Sequence, residues 1–147
     1  MGFHVVEIDG ASFTADGRLK VAQEPPTPPP ASTPVEIGGI EVVGGSPMDT
    51  VHVIGTGKVL VIQNLSGGAA PIGSGSKVEL HDDPNGNGTG MTLLRVAYVS
   101  GTSFSLDLSR ELGPGNGTRA VRLRRVSLGG PSREIAAFLA GYERSAP

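Results

Sequence analysis

The chain has no cysteine and no tryptophan, and only four phenylalanines and two tyrosines. Without cysteine there is neither a disulfide framework nor a thiolate metal centre. The shortage of aromatics rules out a core built on large rings and leaves few platforms for stacking nucleobases. No apolar run approaches the roughly 18 residues needed to cross a bilayer. The opening stretch Met1-Gly2-Phe3-His4-Val5-Val6-Glu7-Ile8 lacks the basic head and long apolar centre of a secretory signal. Charge of one sign is missing as well: a net −2 gives no bulk attraction to nucleic acid or to an anionic membrane. The expectation is a soluble protein with neither as a partner.

Glycine and proline, by contrast, are abundant, at 23 and 12 of 147 residues. The hydrophobic residues, 37% of the chain, come mostly as short runs of Val, Leu and Ile, which suit thin strands. So lean a core is marginal for a monomer and points to an oligomer or a supporting surface.

The most legible stretch is Gly75 to Val96. There Ser76-Lys77-Val78-Glu79-Leu80-His81 enters a loop of Asp83-Pro84-Asn85-Gly86-Asn87-Gly88, and Met91-Thr92-Leu93-Leu94-Arg95-Val96 leaves it. Asp and Asn bond their own backbone, Pro presets φ and Gly takes positive φ, so this reads as two antiparallel strands and their turn. The same alternation of strand and Gly/Ser/Asn turn places strands at about 50–54, 58–64, 76–82, 91–99, 103–108, 119–127 and 133–142. The last is ambiguous, since Ser132 is also a possible helix cap over Ile135, Leu139 and Tyr142. The strand reading, with Ala136, Phe138, Ala140 and Tyr142 on one side, is the more economical on a thin sheet. Strands of this number and spacing form an antiparallel sandwich or barrel.

Three segments result. Residues 1–22 hold short strand-like pieces around Asp9-Gly10 and Asp16-Gly17 and read as an anchoring arm. Phe3, Val5, Ile8, Leu19 and Val21 are its candidate contacts with a partner, because so short a piece cannot bury two faces alone. Residues 23–47 are a linker: a Pro-rich polyproline II spacer from Gln23 to Pro34, then an extended Val35–Val43 around Gly38-Gly39. Residues 48–147 are the sandwich domain.

Candidate chemistry is sparse. The run from Asp83 resembles the opening of a calcium loop, with Asp83, Asn85 and Asn87 as weak ligands beside Asp82. Its twelfth position is Leu94 rather than a bidentate Glu, so a plain turn is preferred and no metal is assigned. His4, His52 and His81 have no metal-site spacing. The Gly/Ser/Lys stretches at 55–58 and 73–77 lack the phosphate-loop pattern, and no nucleophile elbow accompanies His81. Neither an enzyme nor a cofactor is expected. Seven of the twelve basic residues lie between Arg110 and Arg144. In Arg119–Val126 alternation sets Val121 and Leu123 on one face and Arg122 and Arg124 on the other. That arginine face is either a solvated surface with carboxylate neighbours or a contact whose guanidinium forks grip a partner's carboxylates.

These residues also carry a resemblance. Gly73–Leu80, Asp83–Leu93, Gly117–Arg125 and the terminal Arg133-Glu134-Ile135 and Gly141-Tyr142-Glu143 resemble the C-terminal domain of tailed-bacteriophage virion proteins, the head decoration (cement) and head-fibre proteins. The arm and Pro-rich spacer are similar to the short anchor such proteins carry. The chain departs from them in its last strand, where Leu139-Ala140 stands in place of an aromatic residue. The resemblance implies an all-β, jelly-roll-like antiparallel β-sandwich, made in the bacterial host cytoplasm and assembled on the capsid exterior. It also implies a homotrimer bound to the major capsid protein. A fibre protein binding host-surface carbohydrate is the alternative, with Tyr98, Phe104, Phe138 and Tyr142 as its available aromatics.

Overall fold

The computed structural model describes residues 12–13, 19–20, 31–70, 75–100, 103–129 and 132–147. Every regular element among them is a strand. They are β1 (Ser12–Phe13), β2 (Leu19–Lys20), β3 (Thr33–Val43), β4 (Met48–Val53), β5 (Lys58–Ala70), β6 (Gly75–Asp83), β7 (Thr92–Ser100), β8 (Ser103–Leu112), β9 (Ala120–Ser127) and β10 (Arg133–Ser145). β1 and β2 pair with each other; the other eight form two antiparallel four-stranded sheets. The first sheet runs β3-β10-β5-β8 and the second β4-β9-β6-β7. Successive strands therefore pass from sheet to sheet. Within the two sheets β6 and β7 alone are both consecutive and paired, and they are the hairpin legible in the sequence.

Period-two alternation puts one apolar row of each strand inward. β10 buries Ile135, Ala137 and Leu139 and turns Glu134, Ala136 and Phe138 outward, which settles its ambiguity as a strand. β9 buries Val121 and Leu123, and β6 buries Val78 and Leu80. These residues of both sheets share one buried cluster with Leu60, Ile62 and Leu65 of β5. Each large aliphatic chain so buried stabilises the fold by about 1.5–3 kcal/mol.

Two segments differ from the sequence expectation. Val35–Val43, expected as an extended piece of the linker, is most of β3, an edge strand paired with β10 along its whole length and burying Val35 and Val43. Its glycine is a fitting: Gly38 has φ +132, and a Cβ there would collide with the carbonyl oxygen of Ala137. β5 does not stop near Asn64 but runs on to Ala70, although Ser66-Gly67-Gly68 has turn composition. A Cβ at Gly67 would meet the Ala136 carbonyl, so the small residues are what let β5 lie beside β10.

Candidate interaction surfaces

The faces turned away from the shared core differ sharply in chemistry. On the second sheet the register brings Asp49 of β4 opposite Arg124 of β9, and Arg124 opposite Glu79 of β6. Arg122 stands in the next outward row, opposite Val51 and His81. Arg124 forks onto Asp49, with Nε 2.8 Å from Oδ1 and Nη2 3.0 Å from Oδ2. Arg122 reaches Asp49 Oδ2 through Nη1 at 2.9 Å and Asp83 Oδ2 through Nη2 at 2.7 Å. Glu79 binds Lys77 at 2.9 Å and His81 at 3.0 Å.

Of the two readings of the Arg122/Arg124 face, the structure supplies the carboxylate neighbours: both arginines are met by carboxylates of their own chain. The alternation that placed them on one face holds; the acids they grip are supplied from β4 and β6. This lattice holds the Asp49 carboxyl below its ordinary 3.8, chiefly through the hydrogen bond from Arg124. Burial pushes Glu79 up, but Lys77 and His81 outweigh it and its carboxyl ends below its ordinary value. A carboxyl depressed on folding stabilises the fold above its unfolded value, and that stability is lost as pH falls through the folded one. The urea midpoint is therefore expected to fall between about pH 5 and pH 2, and to fall less steeply in Asp49→Asn. Equal slopes in the two proteins would show that Asp49 does not carry the effect.

The loop between β6 and β7 engages the residues weighed as calcium ligands in bonds of its own, although the buried Oδ1 of Asp83 has no partner. Asp83, fully buried, accepts from Arg122 and from the Gly88 amide at 3.0 Å. Asn85 donates to the Thr89 carbonyl at 3.0 Å, and Asn87 accepts from the Thr89 amide at 3.0 Å. Asp82 pairs with Arg119 at 2.8 Å. Among the described residues no three His, Asp or Glu side chains gather as a metal site. At the same end Glu143 accepts from the Gly55 amide at 2.8 Å and lies 3.3 Å from His52, tying β10 to β4 and the loop after it.

Inside, two arginines join the sheets. Arg125, next to Arg124 and pointing the other way, is fully buried. It donates to Thr50 Oγ1 at 2.9 Å and to the carbonyls of Gly39 and Ala137 in the first sheet at 3.0 and 3.3 Å. Among the described residues no carboxylate pairs with it, its Nε has no partner, and burial pushes its pKa down against the pull of Glu41 and Asp49. Arg133 of β10 reaches the carbonyls of Gly75 and Gly129, the latter at 2.7 Å.

One part of the outer face of the first sheet is apolar. Ile40 is 65% exposed, Val42 63% and Phe138 44%, and between them lie Ala136, Gly68 and Ala70. Sequence reading missed both this patch and Arg125. Alternation held the signal for each, since Arg125 has the parity of Val121 and Leu123, and Ile40 that of Val42. Of the other expected contacts, Leu19 lies in β2, at the register position facing Phe13. Phe3, Val5, Ile8, Val21 and His4 lie outside the described residues. The exposed aromatics Tyr98 and Phe138 stand on different sheets, while Phe104 packs against the core.

Among the described residues no helix is long and apolar enough to cross a membrane. No protein-family model matches the chain, and no curated protein matches it.

Proposed function

We propose that the chain is a structural component of a tailed-phage virion, an oligomeric jelly-roll sandwich, in the trimer reading, that decorates and cements the outside of the capsid. The observation that carries the reading is the strand order. Two four-stranded sheets ordered β3-β10-β5-β8 and β4-β9-β6-β7, with the chain passing between them, have the order of a jelly roll, an architecture used by viral capsid and lectin domains. Fold alone does not choose a function. Supporting the virion reading are the resemblance over residues 50–144 and the Pro-rich spacer ahead of the domain. So does an outer face of the second sheet on which Arg122 and Arg124 are paired with carboxylates of the same chain. Many copies bridging capsid subunits stabilise a shell by linkage, because they bind only the assembled state. Residues 1–22 are the attachment to a neighbouring subunit or to the major capsid protein. The role is structural and uses no cofactor.

Virions lacking the protein are expected to lose resistance to heat and osmotic shock and to regain it when purified protein is added back. Unchanged resistance would remove the cementing role. Carbohydrate binding by a fibre ranks second, because the exposed Tyr98 and Phe138 do not share a face on which a sugar ring stacks.

A further inference from the structure

The outer face of the first sheet carries an apolar patch that stands exposed among the described residues. We infer that in the free protein the hairpin formed by β1 and β2 lies on the outer face of its own first sheet, over Ile40, Val42 and Phe138. This goes beyond the virion reading and does not rest on it.

The face has the chemistry of a covered surface. Three large apolar side chains stand 44–65% exposed on two adjacent strands, where the register sets Ile40 opposite Ala136 and Gly38 opposite Phe138. Beside them is a hollow of about 310 Å³ lined by Ile40, Gly68, Ala70 and Ala136, with Glu134 at its border. Contiguous apolar patches on a free protein ordinarily mark a site that something else covers.

The hairpin has the complementary need. Phe13 and Leu19 occupy facing register positions, so they fall on one side of the β1–β2 ladder. A two-stranded hairpin is at best marginally stable in water without a surface to lie on. Lys20 of β2, with Arg18 two places before it in the sequence, is opposite in sign to the exposed Glu36 and Glu134 that border the patch.

Length and place of entry make the chain's own face the reachable one. Ten residues of chain, as many as run from 23 to 32, reach at most about 33–36 Å. From Thr33, where the chain enters β3, to Val42 is about 30 Å along the strand. Ala31 sits at the joint with φ +65, so the chain turns where the spacer meets the sheet. A tether this short keeps the hairpin within reach of its own sheet, whereas a second copy in dilute solution must be met by diffusion.

The absence of cysteine provides the test. Single thiols are placed in the full chain by Val42→Cys on the first sheet and Val53→Cys on the outer face of the second. Each is combined with native or charged hairpins (Phe13→Asp with Leu19→Asp), and reaction with a soluble aromatic disulfide is timed. The thiol at 42 is expected to react about tenfold more slowly than that at 53, and to match it once the hairpin is charged. Phe13→Ser with Leu19→Ser repeats the test without new charge, and circular dichroism checks that the sheets persist. A rate at 42 that ignores the hairpin overturns the inference. So does protection that fades on hundredfold dilution, which would make a second copy the cover.

Discussion

Arg125→Met is expected to leave stability unchanged or raise it by about 1–2 kcal/mol, whereas Arg125→Ala is expected to cost about 2–4 kcal/mol. The two substitutions remove the same charge and differ in what fills its place. Arg125 lies fully buried between the sheets with two backbone carbonyls and one hydroxyl as acceptors and, among the described residues, no carboxylate in contact. A guanidinium there bears the desolvation penalty of a buried ion, which the more distant carboxylates of Glu41 and Asp49 offset only in part. Methionine keeps most of the volume and removes the penalty; alanine leaves a cavity whose cost scales with its size. Chemical denaturation of the three proteins checks this. If Met loses as much as Ala, the bonds to Gly39 and Ala137 are worth more than the desolvation, and Arg125 is a net clamp between the sheets.

Asp83→Ala is expected to cost about 1.5–3 kcal/mol, because the largely buried Arg122 loses one of its two carboxylates and keeps only Asp49. The effect has a local signature too. Asp83 accepts from the Gly88 amide, so that amide is expected to exchange with solvent faster than the β6 ladder behind it. In a double-mutant cycle with Arg122→Ala, contacting charges of this kind couple by about 0.5–3 kcal/mol. A coupling near zero would mean that Asp83 acts through the loop alone and that the ion pair is incidental.

How far the sequence could be read follows from which interactions are local. The β6–β7 hairpin was visible because its turn residues adjoin its strands, and the Arg122/Arg124 face because alternation is a property of one strand. The identity of their acids was not visible, since Asp49 lies 73 residues before Arg122 and becomes its neighbour only through the pairing of β4 with β9. β3 was hidden for the same reason: beside a Pro-rich spacer and interrupted by Gly38-Gly39, it looks like linker until β10 is placed next to it. Arg125 was passed over because composition argues against a core arginine even where the period of the strand requires one. The apolar patch spans two strands far apart in sequence, so neither strand announces it by itself.

The pairing of β3 with β10 has a consequence for how the protein is made. The first strand of the two sheets takes as its neighbour the last, and the β3–β10–β5 arrangement places that last strand at the centre of its sheet. During synthesis β3 and β5 emerge with a gap between them that β10 alone fills. The first sheet therefore closes only after residue 145 has left the ribosome, and most of its contacts are long in sequence, which puts folding on the millisecond-to-second scale of β topologies. Until then the Val, Leu and Ile rows of both sheets are open to other nascent chains. Truncation within β10 is thus expected to be far more damaging than its terminal position implies, since it removes the centre of a sheet rather than an edge.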